Sequence, residues 1–186
     1  DAPQPQTEYA RQKLAQEGLV MTHNTFGGTI LPSTIIRSAT LCGPAPRMRL
    51  DTIVNTFCKQ AWFDKRITVW GGQQVRTNVH VADVVGFYLW LLAQKPQHTA
   101  GEVFNITSGN HSAVALAYMV ADTMIHGPAT TVKIDPARVD IRSYSMLAAK
   151  ARAWGWKAHY SVEQAIKDNF NWFAAGRIKA PNDDIY

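Results

Sequence analysis

The run Ser33-Thr34-Ile35-Ile36-Arg37-Ser38-Ala39-Thr40-Leu41 constrains the fold more than any other stretch of this chain. β-Branched residues lose rotamer freedom in a helix and pack well on a pleated surface, and Gly43-Pro44 closes the run with a turn. It reads as a buried strand of a parallel sheet, a strand type covered by helices on both faces. The rest of the chain offers such helices. Thr7, after Pro3 and Pro5, stands as the N-cap of a helix over residues 8 to about 19. A loop follows around 23–28, and beyond the strand Leu50, Ile53, Val54, Phe57 and Ala61 recur at helical spacing through 50–63.

Ile67-Thr68-Val69-Trp70 ahead of Gly71-Gly72 reads as a short strand, and 75–81 as another extended piece. Residues 83–94 form a helix whose apolar face is Val84, Val85, Tyr88, Leu89 and Leu92. A strand over 101–106 ends at Ser108-Gly109-Asn110, and a helix over 113–125 ends at Gly127-Pro128. After β-like 131–134 come helices over 145–153 and 161–175, the latter opened by the capping-box pattern Ser161-x-x-Gln164. Strands and helices alternate throughout, which predicts an α/β layered fold.

Composition sets the outer limits. With 186 residues, 46% hydrophobic and 18% charged, the chain has apolar surface for one complete core, and intrinsic disorder is excluded. The longest uncharged apolar run, 84–93, is about half the ~20 residues needed to cross a bilayer. Pro3, Pro5, Glu8, Arg11 and Lys13 stand where a secretory signal needs an apolar run, so none is expected and a reducing cytoplasm is the default location. Nineteen Lys and Arg against fourteen Asp and Glu give +5, which suggests an anionic partner. The basic residues are scattered without a polybasic run, which favours a folded pocket for a small polyanion over nucleic acid or a membrane. Cys42 and Cys58 form no Cys-x-x-Cys pattern and the six His are dispersed, so neither a disulfide framework nor a metal site is expected.

Tyr9 and Lys13 lie four apart on one helix, where their side chains can meet one site. A free phenol ionises near pH ~10 and is a poor base at neutral pH, and a neighbouring ammonium favours its phenolate. Pro5-Gln6-Thr7-Glu8-Tyr9-Ala10-Arg11-Gln12-Lys13 resembles the Pro-x-Thr-x-Tyr-x-x-x-Lys helix of the extended short-chain dehydrogenase/reductase family, which includes sugar-nucleotide epimerases, dehydratases and ketoreductases. Further matches follow in the family's order: Arg37-Ser38-Ala39-Thr40-Leu41-Cys42-Gly43-Pro44, then Pro46-Arg47-Met48-Arg49-Leu50-Asp51-Thr52-Ile53-Val54-Asn55. Ile67-Thr68-Val69-Trp70-Gly71 with Arg76-x-x-Val79-His80-Val81-x-Asp83, Gly101-Glu102-Val103-Phe104-Asn105-Ile106 and Asp140-Ile141-Arg142-Ser143-Tyr144 complete the series.

The resemblance implies the C-terminal portion of a Rossmann-like doubly wound sheet with a small α/β substrate-binding subdomain. Residues 1–60 would end the dinucleotide domain, and 61–186 would be mainly the substrate subdomain, with a return to the sheet near 75–110. It implies NAD or NADP as cofactor and a nucleotide-diphosphate sugar as substrate. By the same resemblance Tyr9 moves the sugar hydroxyl proton and Lys13 holds the nicotinamide ribose. Tyr9, Lys13 and Thr40 would meet the cofactor, Thr40 standing where many relatives carry Asn. Arg76, Arg142 and Asn55 would meet the substrate diphosphate, with Val69 and Trp70 bordering its base. Guanidinium forks suit a diphosphate because they bind phosphate bidentately. His80 and Asp83, at the start of a helix, read as capping and dipole partners ahead of catalytic groups.

The glycine-rich turn Gly-x-x-Gly-x-x-Gly that holds a dinucleotide pyrophosphate does not occur in these 186 residues, and only eight residues precede Tyr9. The expectation is therefore a little more than the C-terminal half of such an enzyme, active only with its nucleotide-binding half. The strand around Ile35 is expected to present an open edge that the missing half or a homo-oligomer covers. The alternative from another class is a non-catalytic module that binds nucleotide-sugar or RNA.

Overall fold

A computed structural model describes residues 3–23, 32–124, 129–138, 140 and 142–178. The loop expected over 23–28 and the Gly127-Pro128 helix stop lie almost wholly outside the described residues. Helix α1 spans Glu8–His23, four residues longer than periodicity predicted. It starts where Thr7 Oγ1 accepts the Ala10 N–H at 3.2 Å.

The β-branched run divides in two. Strand β1 (Ile35–Ser38) pairs in parallel with β5 (Val103–Ile106), Ile35 opposite Val103 and Ser38 opposite Ile106. Ala39, 3% exposed, still donates its N–H to Ile106 O, and the chain then enters β2 (Thr40–Cys42), which pairs with a different strand. That strand is β4 (Val75–His80), parallel to β2 and antiparallel to β6 (Gly109–Ser112) on its other side. A third sheet pairs β3 (Arg66–Trp70) in parallel with β7 (Thr131–Asp135). Sequence periodicity reads 33–41 as one strand because it cannot see where the ladder partner changes.

Helix α2 (Ile53–Lys59) runs on into a π-helical turn, Gln60–Asp64, which ends at Lys65 with φ 53°. Helix α3 (Val81–Leu92) crosses from β4 toward β5, and α4 is one turn at Pro96–Thr99. Helices α5 (Ala113–Thr123), α6 (Ala149–Ala153) and α7 (Val162–Ala174) complete the set. Ser112 and Ser161 cap α5 and α7 by accepting the N–H groups of Ala115 and Gln164. No helix of the described residues is long and apolar enough to cross a membrane.

Two apolar cores meet at the end of the divided strand. Phe87 of α3 and Phe104 of β5, both fully buried, anchor one core, with Val79, Val84, Ile106, Ala151 and Trp156 around them. The other packs α2, α5 and α7 on β3, with Val54, Phe57, Ile67, Leu116, Val120 and Ile166 buried. Helix α3 corrects the predicted apolar face. It buries Val84 and Phe87 and half-buries Leu91, whereas Val85, Tyr88, Leu89 and Leu92 are exposed by 51 to 80%. The helix is apolar on both sides, so spacing alone does not choose the buried one.

Candidate active site

Two adjoining cavities, of about 530 and 840 Å³, open where β2, the loop before α2 and the ends of β3 and β4 converge. Tyr9, Thr40, Arg49, Thr52 and Tyr144 line both, so they mark the junction. Tyr9 stands on the first turn of α1 and is 69% exposed. The Lys13 ammonium lies 5.7 Å from the Tyr9 ring centroid and donates to Gln16 Oε1 at 3.2 Å. The helical spacing thus does bring phenol and ammonium together, although Lys13 lines neither cavity. Helix α1 is tied to β1 by Arg37, whose guanidinium forks onto the Glu17 carboxylate at 2.5 and 2.9 Å, raising the Arg37 pKa.

Val69, Trp70, Arg76 and Arg142 line the larger cavity, together with Arg138 and Asp140. Four guanidinium groups (Arg49, Arg76, Arg138, Arg142) stand there against the carboxylates of Asp51 and Asp140. The excess positive charge suits a polyanion. Arg76 and Arg142 do not sit as two equal forks on one rim. Arg76, 6% exposed, lies within β4: its Nη1 donates to Val75 O and to Arg142 O, and its Nη2 meets Asp140 Oδ2 at 2.6 Å. Arg142 binds the same carboxylate through Nε and Nη2, at 2.8 and 2.6 Å, and its side chain is 57% exposed. The Arg142 hydrogen bonds, with the charge of Arg76 behind them, hold the Asp140 carboxyl well below the usual carboxylate range. A buried guanidinium needs partners on every donor face, which is why Arg76 clasps the Asp140 carboxylate and the Arg142 carbonyl and leaves the Arg142 side chain facing the cavity.

Asn55 lines the smaller cavity but is 3% exposed, and its amide is spent inside the protein. Its Oδ1 accepts from Gly43 N and Asn169 Nδ2 at 3.2 and 2.9 Å, and its Nδ2 donates to Arg49 O at 2.8 Å. Gly43 has φ 95°, and a Cβ there would stand 3.0 Å from His80 Nε2, so only glycine fits the turn that Asn55 secures. At the cavity junction Arg49 pairs with Asp51 at 2.6 Å, which lowers the Asp51 pKa.

His80 and Asp83 line neither cavity. His80, with its Nδ1 accepting from Ala82 N at 3.0 Å, is the N-cap of α3, and its Nε2 faces Asp168 Oδ2 at 3.3 Å. Asp83, in the first turn of α3, accepts the N–H groups of His159 and Tyr160 at 2.8 and 3.0 Å, tethering the segment that leads into α7. Sequence reasoning passed over Arg138 and Asp140 as site residues. The i, i+2 alternation Arg138-x-Asp140-x-Arg142 was the available signal. Among the described residues no His, Cys, Asp and Glu cluster could hold a metal.

Residues 1–107 match the NAD dependent epimerase/dehydratase family. The chain belongs to that family. Over 105 residues it is 27% identical to UDP-glucose 4-epimerase of Pisum sativum, a stretch that covers 54% of this chain and 30% of that protein. Among solved structures, MoeE5 in complex with UDP-glucuronic acid and NAD superposes at a TM-score of 0.80 with 23% identity, over 95% of this chain and 58% of that one. UDP-glucuronic acid 4-epimerase from Bacillus cereus, in complex with UDP-glucuronic acid and NAD, gives 0.77 and 24%, over 94% and 55%. At these identities the superpositions establish the Rossmann-like α/β fold. The chain spans a little over half the length of these structures.

Proposed function

We propose that this chain carries the substrate pocket and the Tyr–Lys pair of an NAD(P)-dependent enzyme that epimerises or dehydrates nucleotide-diphosphate sugars. One observation carries the reading: Tyr9 and Thr40 stand at the junction between the smaller cavity and an arginine-lined cavity large enough for a nucleotide. In this reading Tyr9 takes and returns the proton of the sugar hydroxyl. Lys13, lying against the Tyr9 ring, holds the nicotinamide ribose, and Thr40 borders the same end of the cofactor. A nicotinamide dinucleotide, when bound, supplies hydride exchange at the sugar carbon. Tyr9, Lys13 and Thr40 fit its nicotinamide end. No glycine-rich turn in the 186 residues fits its pyrophosphate, which is left to polypeptide outside this chain.

Arg142, with its exposed side chain, meets the substrate diphosphate, and Arg76 acts by holding Asp140 and Arg142 in place. Asn55 shapes the turn at Gly43, and Val69 and Trp70 border the base. Functionally, 1–60 and the return through 75–110 belong with the cofactor, and the remainder with the substrate. Strand β1 has β5 as its neighbour among the described residues. Its other edge is, in this reading, covered by the strands of the nucleotide-binding half within a homo-oligomer.

Tyr9→Phe in the full-length enzyme tests the reading. General acid–base catalysis is worth roughly 10² to 10⁴ in rate, so turnover should fall by at least about 100-fold with nucleotide-sugar affinity within about twofold of the parent. Equal loss of both would assign Tyr9 to packing instead.

A further inference from the structure

Two consecutive residues of α7, Asp168 and Asn169, reach away from their own helix toward the Gly43 turn, which lines the smaller cavity with Tyr9 and Thr40. Neither residue lines a cavity itself. Asn169 acts on the backbone of the turn: its Nδ2 donates to Asn55 Oδ1, which also accepts the Gly43 N–H. Asp168 acts through His80. The His80 ring is 4% exposed and lies directly against Gly43, where an added Cβ would stand 3.0, 3.2 and 3.3 Å from its Nε2, Cε1 and Cδ2. Cys42, just before the turn, is the ladder partner of His80, and Val81, just after His80, lines the same cavity as Gly43. The imidazole is a wedge on which the turn rests.

The wedge is fixed from three sides. Nδ1 accepts the Ala82 N–H at 3.0 Å and so carries the lone pair, which assigns the ring proton to Nε2. That N–H donates to Asp168 Oδ2 at 3.3 Å, and Gln164 Nε2 donates to the other carboxylate oxygen at 2.8 Å. The Tyr160 ring stacks on the imidazole with centroids 4.7 Å apart. We infer that Asp168 is a positioning residue: by orienting His80 in its Nε2-protonated tautomer, it sets the Gly43 turn and with it one wall of the smaller cavity. Helix α1 places Tyr9, and α7 places the turn. The inference rests on the reading of Tyr9 as the proton-moving group and deepens it, because it makes α7, which lies beyond the matched residues 1–107, a support of the reacting end.

Nitrogen NMR, amide exchange and kinetics of the full-length enzyme test it together. With ¹⁵N-labelled histidine, the His80 signals, identified by their loss in His80→Gln, should show a bare Nδ1 and a protonated Nε2. Asp168→Ala, at a side chain 27% exposed, should fold and should speed exchange of the Gly43 amide by at least about tenfold, since the turn opens locally once the wedge is loose. A reacting group about 1 Å out of place costs up to roughly 100-fold in rate, so turnover should fall by roughly 10- to 100-fold in that variant. The nucleotide-sugar KM should stay within about twofold, because Arg142 is held by a separate network. Asp168→Asn keeps an acceptor for His80 and should recover most of the loss. A protonated Nδ1 overturns the inference. So does a lower unfolding temperature for Asp168→Ala with Gly43 exchange and turnover unchanged, which would leave Asp168 as a prop of α7 alone. A raised KM at unchanged turnover also overturns it. Full turnover in Tyr9→Phe would instead overturn the proton-transfer reading, and the tautomer and the Gly43 exchange would still decide whether Asp168 sets the turn.

Discussion

Replacing Asn55 by Ala should cost stability before it costs binding. The amide makes three hydrogen bonds, and its removal strands the Gly43 N–H, the Asn169 amide and the Arg49 carbonyl. Gly43 is buried and Asn169 is fully so, whereas Arg49 is an exposed residue whose carbonyl water can reach. Two groups thus bear the full penalty of about 1–3 kcal/mol each, giving a loss of about 2–6 kcal/mol. Against a typical stability of about 5–15 kcal/mol that is a large fraction. Urea unfolding followed by circular dichroism should show a lower midpoint at unchanged slope. Because Asn169 donates to Asn55, Asn169→Ala and Asn55→Ala should together cost less than the sum of the two singles, by at least about 0.5 kcal/mol. A single-mutant loss under about 1 kcal/mol, or strict additivity, would refute the clamp. A tenfold fall in UDP affinity at unchanged stability would make Asn55 a substrate contact instead.

Asp140 and the thiols give two further expectations. The native pKa of Asp140 lies below its unfolded value, so its contribution to stability is complete above the ordinary carboxylate pKa near ~4 and is lost as pH falls through the depressed native value. Asp140→Asn should therefore flatten part of the acid limb in thermal melts between about pH 5 and pH 2, and an unchanged limb would sink the assignment. Burial pushes both Cys42 and Cys58 up to about 12. At pH 8 the native protein should resist a thiol reagent for as long as it stays folded, both cysteines reacting on unfolding. Rapid native labelling would contradict their burial.

Much of the element order was legible, and the misses share a cause. Residues 145–153 read as a helix, yet α6 begins only at Ala149, because the Asn110 amide engages both Met146 N and Met146 O at 2.9 Å and holds that stretch extended. Asn110 itself belongs to β6, whose sequence Gly-Asn-His-Ser has little strand propensity and is ordered by pairing with β4. Neither contact leaves a trace at short range. The site shows the same division. Tyr9 and Lys13 are legible because the helix that joins them is local. That Arg76 is a buried clasp and Arg142 an exposed fork depends on Asp140, 64 residues beyond Arg76, which no periodicity reports.

This division bears on how the site is held. Arg76, Asp140, Arg142 and the Val75 backbone interlock on a paired strand, and breaking one member leaves another buried and unpaired. Tyr9 instead rides on α1, tied to β1 by the half-buried Arg37–Glu17 fork. An ion pair of that exposure is worth at most about 1 kcal/mol after screening, less than the clasp around Arg76 secures. On the proposed function, the diphosphate end of the pocket is therefore preorganised within this chain. On the same proposal, the reacting end gains its precision from the nucleotide-binding half packed on the open side of α1 and β1. Substrate binding should accordingly tolerate loss of that packing, and turnover should not.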